Sequence, residues 1–117
     1  MDERRSLPRW EIKKEATVWF SETKDLGFCT VEDMHLKGMR ISSNRLLPPQ
    51  EPLKIMFAIG DSLDFIKVEA EVPWQGEEQG RYFYGLSFSR VDDADKNKIS
   101  EYINTNCYDQ IKKHWWE

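Results

Sequence analysis

Most of the chain alternates apolar and polar residues with a period of two, which is typical of β-strands with one buried face. Turn-forming residues separate six such stretches. The predicted strands are 16–20, 26–33, 36–43, 53–59, 63–72 and 82–89, with loops or turns at 44–52, 60–62 and 75–80. Because closing a sheet removes its exposed edges, the pattern favours a mainly β fold, a six-stranded antiparallel β-barrel.

After residue 92 the apolar period becomes that of a helix. Apolar residues recur at helical spacing at Ile99, Tyr102, Ile103, Cys107 and Ile111. Acidic residues precede this stripe and lysines follow it, an order that complements the helix dipole. We therefore predict one amphipathic C-terminal α-helix over residues 93–113, with its stripe against the barrel or a partner.

The second predicted strand contains two competing apolar phases. Leu26 and Phe28 belong to one phase, and Cys29 and Val31 belong to the other. A β-bulge near Gly27 would reconcile them, because one extra residue moves the following side chains to the opposite face.

Composition places the chain among globular proteins of one domain. It has 117 residues, of which 39% are hydrophobic and 32% are charged. The longest fully apolar run, 55–59, is too short to cross a bilayer, so no membrane insertion is expected. The N-terminus lacks the apolar core of a secretory signal, and Cys29 and Cys107 have no metal-ligand spacing. These features predict a cytoplasmic protein with two reduced, structural cysteines and no metal site.

Charge is distributed unevenly along the chain. Residues 1–14 contain five basic and three acidic residues, although the whole chain carries a net charge of −4. A local anion site is therefore expected in place of a broad DNA- or RNA-binding surface. The predicted organisation is an N-terminal arm over 1–14 and a single domain over 15–117, comprising the barrel and its helix.

Two short segments carry the clearest chemistry. The first is Glu3-Arg4-Arg5-Ser6-Leu7-Pro8-Arg9, directly before the first predicted strand, and it contains an RxxxR motif. The second is Asp33-Met34-His35-Leu36-Lys37-Gly38-Met39-Arg40-Ile41, between the second and third predicted strands. Together they resemble the PilZ domain family, which carries RxxxR in an N-terminal arm and [D/N]xSxxG at a turn on the barrel. Val72-Pro73-Trp74 and Tyr84-Gly85-Leu86-Ser87-Phe88 are also similar to the family.

The resemblance implies a bacterial receptor for cyclic di-GMP that has no catalytic activity. Arg5, Arg9, Asp33 and Gly38 match the family's binding positions, and Arg4 is an auxiliary candidate. Arginine suits this ligand because its guanidinium binds phosphate and the guanine edge bidentately and stacks on purines. Asp33 is able to accept hydrogen bonds from guanine N1–H and N2–H. Gly38 would permit close backbone approach or a positive φ.

His35 departs from the family pattern, which has serine at this position. Imidazole is much larger than a hydroxymethyl group, so His35 would either stack on a base or block it. Its charge also changes near neutral pH. The substitution therefore leaves His35 as a candidate ligand contact and as the main argument for a member that binds no nucleotide.

The tryptophans have several possible roles. Trp10 follows the RxxxR motif and would either support a guanine or anchor the arm to the barrel. Trp19 and Trp74 are assigned to barrel packing. Trp115 and Trp116 at the chain end would cover the barrel or form a patch for a partner.

Four functions are weighed at this point. The first is a cyclic di-GMP effector, a monomer or weak homodimer, that acts through an unidentified effector protein in motility or biofilm formation. The second is a degenerate PilZ module that binds proteins and no nucleotide, related to type IV pili or motility. An enzyme built on Cys29, Asp33 and His35 is disfavoured because no nucleophile motif is present. A single-strand nucleic-acid barrel is disfavoured by the net charge of −4.

Overall fold

The computed structural model describes residues 9–21, 25–47, 52–60 and 64–116. Within them lie six strands and two helices: β1 Trp10–Phe20, β2 Asp25–His35, β3 Gly38–Ser43, β4 Leu53–Ile59, β5 Ile66–Glu78, β6 Arg81–Arg90, α1 Asp93–Asn106 and α2 Tyr108–Trp116. The strands pair antiparallel in the order β1-β2-β3-β6-β5-β4, and β4 pairs with β1 to close the barrel. The predicted six-stranded antiparallel barrel with a C-terminal helix is confirmed.

Apolar side chains from alternating strand positions fill the barrel. Val31, Ile41 and Phe57 are at most 1% exposed, and Ile99 and Ile103 of α1 join the same core. Burial of each such side chain contributes about 1.5–3 kcal/mol. The inward phase of the strands therefore determines which residues remain on the outside to build a site.

The predicted bulge at Gly27 is wrong. The β1–β2 register runs without interruption from Lys14 opposite Val31 to Phe20 opposite Asp25. Cys29 and Val31 supply the buried phase, and Phe28 is simply 65% exposed. A single solvent-facing aromatic is tolerated on a strand, so no extra residue is needed to bury it.

The irregularity of β2 lies further along the strand, at Glu32. Val31 pairs with Ile41, and Asp33 pairs with Arg40, so one residue of β2 is unmatched between the two pairs. The register of β1 with β2 also shifts here, between Glu11 and Lys14. Bulges of this kind change the direction of neighbouring side chains, and this one lies directly beside Asp33.

The motif Asp33–Gly38 lies mainly on the ends of two strands, and only its middle forms a turn. Asp33 and His35 belong to β2, Gly38 opens β3, and only Leu36 and Lys37 form the turn. The motif therefore does not lie between the strands as expected. Backbone pairing on both sides of the two-residue turn holds its side chains in a defined register.

Strand lengths also differ from the prediction. β5 continues to Glu78, so the expected loop at 75–80 is reduced to a turn at Gln79 and Gly80. The polar residues of that stretch misled the prediction, because a ribbon extending past the core has no buried face to mark it. β1 begins at Trp10, ahead of the predicted 16. Residues 61–62 of the predicted turn and residues 48–51 of the predicted loop lie outside the described residues.

The C-terminal helix is divided at Cys107 into α1 and α2. Backbone hydrogen bonds continue through the break, from Cys107 N–H to Ile103 O and from Ile111 N–H to Cys107 O. The Asn106 side chain donates to the Tyr102 carbonyl at 3.0 Å, and such local bonds compete with the regular helix. The predicted apolar stripe nevertheless faces the core. No helix in the described part of the chain is long and apolar enough to cross a membrane.

Close packing of β3 against β6 explains why residue 38 is a glycine. A Cβ at this position would lie 2.3 Å from the Leu86 carbonyl oxygen. Gly38→Ala should therefore lower the free energy of unfolding by about 1–3 kcal/mol, because one backbone must shift. Gly27→Ala is the matched control, since its Cβ would be 3.6 Å from Arg45 Nη1, an ordinary contact. Urea unfolding measures both variants, and equal effects would contradict this account.

Candidate functional site

Four residues form a lateral row across the outer face of the barrel. Asp33 pairs with Arg40, Arg40 pairs with Gly85, and Gly85 pairs with Trp74. Directly paired residues of antiparallel strands project to the same face of a sheet. The row thus crosses β2, β3, β6 and β5, a span of three strand spacings or about 14 Å.

Asp33 joins two arginines that are remote from each other in sequence. Its Oδ1 accepts from Arg9 Nη1 at 3.0 Å, and its Oδ2 accepts from Arg40 Nε at 3.0 Å. The carboxylate is only 14% exposed, whereas the guanidiniums of Arg9 and Arg40 are 58% and 44% exposed. The arrangement therefore holds two guanidiniums side by side with most of their donors facing outward.

A cleft of about 710 Å³ opens along the row. Its charged and aromatic lining consists of Arg9, Asp33, His35, Lys37, Arg40 and Trp74. The size lies within the range of sites that bind small molecules, about 300–1,000 Å³. Three cationic side chains against one carboxylate make the cleft locally positive on a chain of net charge −4. Such a cleft attracts anions.

Trp74 lies on a floor made of two glycines. A Cβ on Gly76 would be 3.3 Å from the indole Cζ2, and one on Gly85 would be 3.6 Å from its Cε3. The indole is therefore seated against the backbone of β5 and β6, while Trp74 remains 50% exposed. A rigid, half-exposed indole beside cations is suited to stack on a planar base.

His35 is packed over the start of β3. Its Nε2 and Cε1 lie 3.1 and 3.3 Å from the position of a Cβ on Gly38, and its Nδ1 accepts from Lys37 N–H at 3.2 Å. Burial lowers the pKa of His35 below its usual value, and the nearby Arg9 charge lowers it further, while Asp33 opposes this. The neutral imidazole thus occupies one wall of the cleft.

The structure brings together four of the predicted site residues, Arg9, Asp33, His35 and Gly38. Arg4 and Arg5 lie outside the described residues. Gly38 does not have a positive φ. A glycine is required at this position because β6 packs too close to leave room for a Cβ. Gly38 nevertheless lies directly against the ring of His35, which lines the cleft.

Arg40, Lys37 and Trp74 also line the cleft, although they were not predicted as site residues. A two-residue turn at 36–37 places residue 40 opposite residue 33, so pairing across that turn could have identified Arg40. Trp74 was assigned to barrel packing, but it lines the cleft. Its outward position depends on the β5–β6 register, which shifts between Glu71 and Trp74. Pro73 lies within that stretch and is a signal for the shift, because proline within a strand is confined to edges and bulges.

The remaining tryptophan and cysteine candidates within the described residues lie away from the cleft. Trp10 is buried in the core, which supports the anchoring role over a guanine support, and Trp19 is half-buried. Cys29 and Cys107 are free and buried, as predicted. Burial raises the pKa of Cys29 to about 12, so its thiol is protonated, and it does not share the cleft with Asp33. Among the described residues, no three His, Cys, Asp or Glu side chains are grouped to hold a metal ion.

A protein-family model matches most of the chain. The PilZ domain model matches residues 3–105, which include both motifs and every strand. The chain belongs to the PilZ domain family. PilZ domains are non-catalytic receptors for cyclic di-GMP, so the prediction that the chain is not an enzyme is confirmed by its membership of the family. No curated protein sequence matches the chain.

Several solved structures share the fold at low sequence identity. The inhibitor of motility MotI/DgrA of Bacillus subtilis is 14% identical with a TM-score of 0.65, covering 96% of this chain and 53% of that one. YcgR of Escherichia coli in complex with c-di-GMP is 16% identical with a TM-score of 0.67, covering 95% and 49%. The PilZ domain of YcgR with c-di-GMP is 11% identical with a TM-score of 0.65, covering 96% and 97%. The chain thus spans about half the length of the first two proteins.

The low pKa of His35 predicts a pH dependence of stability. The unfolded chain takes up this proton near the ordinary pKa of about 6.5, before the folded PilZ domain does. Stability from the neutral imidazole is therefore complete above about pH 6.5 and decreases as the pH falls towards the folded-state pKa. Urea unfolding at pH 7.5 and 5.5 should show that the free energy of unfolding falls more for the parent than for His35→Gln. An equal loss in both proteins would contradict this prediction.

Proposed function

We propose that this PilZ domain binds cyclic di-GMP in the cleft and signals the bound state to a partner protein in the cytoplasm. The observation that carries the proposal is the pair of guanidiniums of Arg9 and Arg40, held by Asp33 beside the exposed indole of Trp74. Cyclic di-GMP has two phosphates and two guanines, and the cleft offers cations and a stacking surface within one row. Membership of a receptor family supports the same assignment.

Each cleft residue has a distinct role in this proposal. The outward donors of Arg9 and Arg40 bind phosphate or the guanine O6 and N7 edge. Trp74 stacks on one base. Asp33 positions both arginines, and it has further acceptor capacity for guanine N1–H and N2–H because an ionised carboxylate offers about four lone-pair sites. Arg4 and Arg5 of the arm add further cations before Arg9.

Titration with cyclic di-GMP tests the proposal. We expect micromolar or tighter binding by calorimetry, because several charge-assisted hydrogen bonds combine with stacking. Arg9→Ala should weaken binding by about 10- to 100-fold, the equivalent of one or two such bonds. Trp74→Ala should weaken it by about fivefold or more.

Arg90→Ala is the control, because Arg90 is exposed at the end of β6 and does not line this cleft. Raised ionic strength should weaken binding of the parent, since surface charge interactions are screened. Absence of binding at high ligand concentration, or equal losses in Arg9→Ala and Arg90→Ala, would reject the proposal.

A second candidate is a PilZ module that binds a protein and no nucleotide, and the position of His35 favours it. The imidazole lies against Gly38 in the cleft wall, where the family has a serine. A ligand approaching this wall must therefore contact or displace the ring.

His35→Ser separates the two candidates. If the parent is a receptor, His35 forms part of the wall, and the variant should differ in affinity by less than about tenfold, or 1.4 kcal/mol. Tight binding gained by the variant, with little or none in the parent, would mean that His35 blocks the site. That result would favour the protein-binding module.

A further inference from the structure

Helix α2 contacts the backbone of β1 at the end of the cleft. The Glu11 N–H donates to Gln110 Oε1 at 2.8 Å, and Gln110 Nε2 donates to the Glu11 carbonyl at 2.8 Å. One side-chain amide therefore satisfies both backbone groups of one strand residue, in the manner of a neighbouring strand. The two residues are 99 positions apart in sequence, so only the tertiary fold brings them together.

Among the described residues, β1 extends beyond its pairing with β4. β4 pairs with β1 from Ala16 to Phe20, and a final backbone bond runs from Gly60 N–H to Glu15 O. Residues 10–14 of β1 continue past that point. Unpaired strand edges present free N–H and C=O groups, and Gln110 covers such groups at Glu11.

The same segment carries the cleft arginine. Glu11 pairs laterally with Asp33, so it extends the row that runs through Arg40 to Trp74. Arg9 lies two residues before Glu11, about 7 Å along an extended strand. The β1 irregularity and the positive φ of Lys13 (50°) separate this segment from the rest of the barrel strand. Its direction is therefore not set by barrel pairing alone.

We infer that Gln110 is a positioning residue for the ligand site, and that it couples helix α2 to the cleft through the backbone of Glu11. The inference rests on the proposed function and adds a regulatory contact to it. With Gln110 bonded, the segment holds Arg9 at Asp33. When α2 moves, Glu11 loses two hydrogen bonds, and Arg9 loses its alignment. Coupling is reciprocal, so cyclic di-GMP should stabilise α2 in place, and a partner that displaces α2 should weaken ligand binding.

Gln110→Met tests the contact, because methionine preserves the length of the side chain and removes both hydrogen bonds. Asn106→Ala is the matched control, since it removes another helix amide, one that bonds within α1 to the Tyr102 carbonyl. Urea unfolding shows whether either variant weakens the whole domain. Hydrogen exchange of the amides of residues 10–12 measures how readily this segment opens, and calorimetry measures the affinity for cyclic di-GMP.

We expect Gln110→Met to accelerate hydrogen exchange in residues 10–12 by more than any loss of global stability explains. It should also weaken the binding of cyclic di-GMP by about fivefold or more. Asn106→Ala should do neither. In the parent, the Gln110 side-chain amide resonance should shift when cyclic di-GMP is added, which a merely stabilising contact would not require.

The outcomes separate the inference from the proposed function. Unchanged exchange in Gln110→Met would overturn the positioning role. Faster exchange with parental affinity would overturn the coupling while the receptor function stands. If the parent binds no cyclic di-GMP, the proposed function fails and the coupling to that ligand fails with it, while the exchange data still decide whether Gln110 holds the segment.

Discussion

The bonds of the Asp33 carboxylate are the interaction on which the cleft depends. Each of its oxygens accepts from a different arginine, and the two arginines come from separate parts of the chain. Arg40 reaches Asp33 because the two-residue turn at 36–37 places residue 40 opposite residue 33. Arg9 reaches it because β1 lies on the other side of β2. The barrel topology thus brings two arginines to one partly buried carboxylate, which holds them side by side.

The cleft combines charge with a stacking surface on a body of opposite charge. The whole chain carries −4, yet the cleft is lined by three cationic side chains and one carboxylate. Trp74 completes the row because glycines at 76 and 85 leave space for its ring. This combination suits a small anion with aromatic bases better than an extended polyanion, whose affinity depends on many dispersed phosphate contacts. Non-catalytic receptors for cyclic di-GMP make up the family to which the chain belongs.

Contacts of several kinds hold the beginning of β1, in addition to its pairing with β2. Trp10 is buried in the core, Arg9 pairs with Asp33, and the backbone of Glu11 bonds to Gln110. Because the segment extends beyond β4, no single contact determines its position. The cleft residue Asp33, helix α2 and the core therefore act on the same few residues.

The sequence by itself determined the barrel, the inward phase of most strands, the C-terminal apolar stripe and the two motifs, because periodicity and turn chemistry are local properties. It also predicted Arg9, Asp33, His35 and Gly38 as candidate site residues, and the structure places these four close together. It did not determine that Phe28 is exposed, that Trp74 lines the cleft or that Gln110 reaches Glu11. Register, bulges and helix docking decide these, and they depend on how distant segments share one core. For the same reason, only the tertiary structure showed that Arg40 and Arg9 meet on one carboxylate.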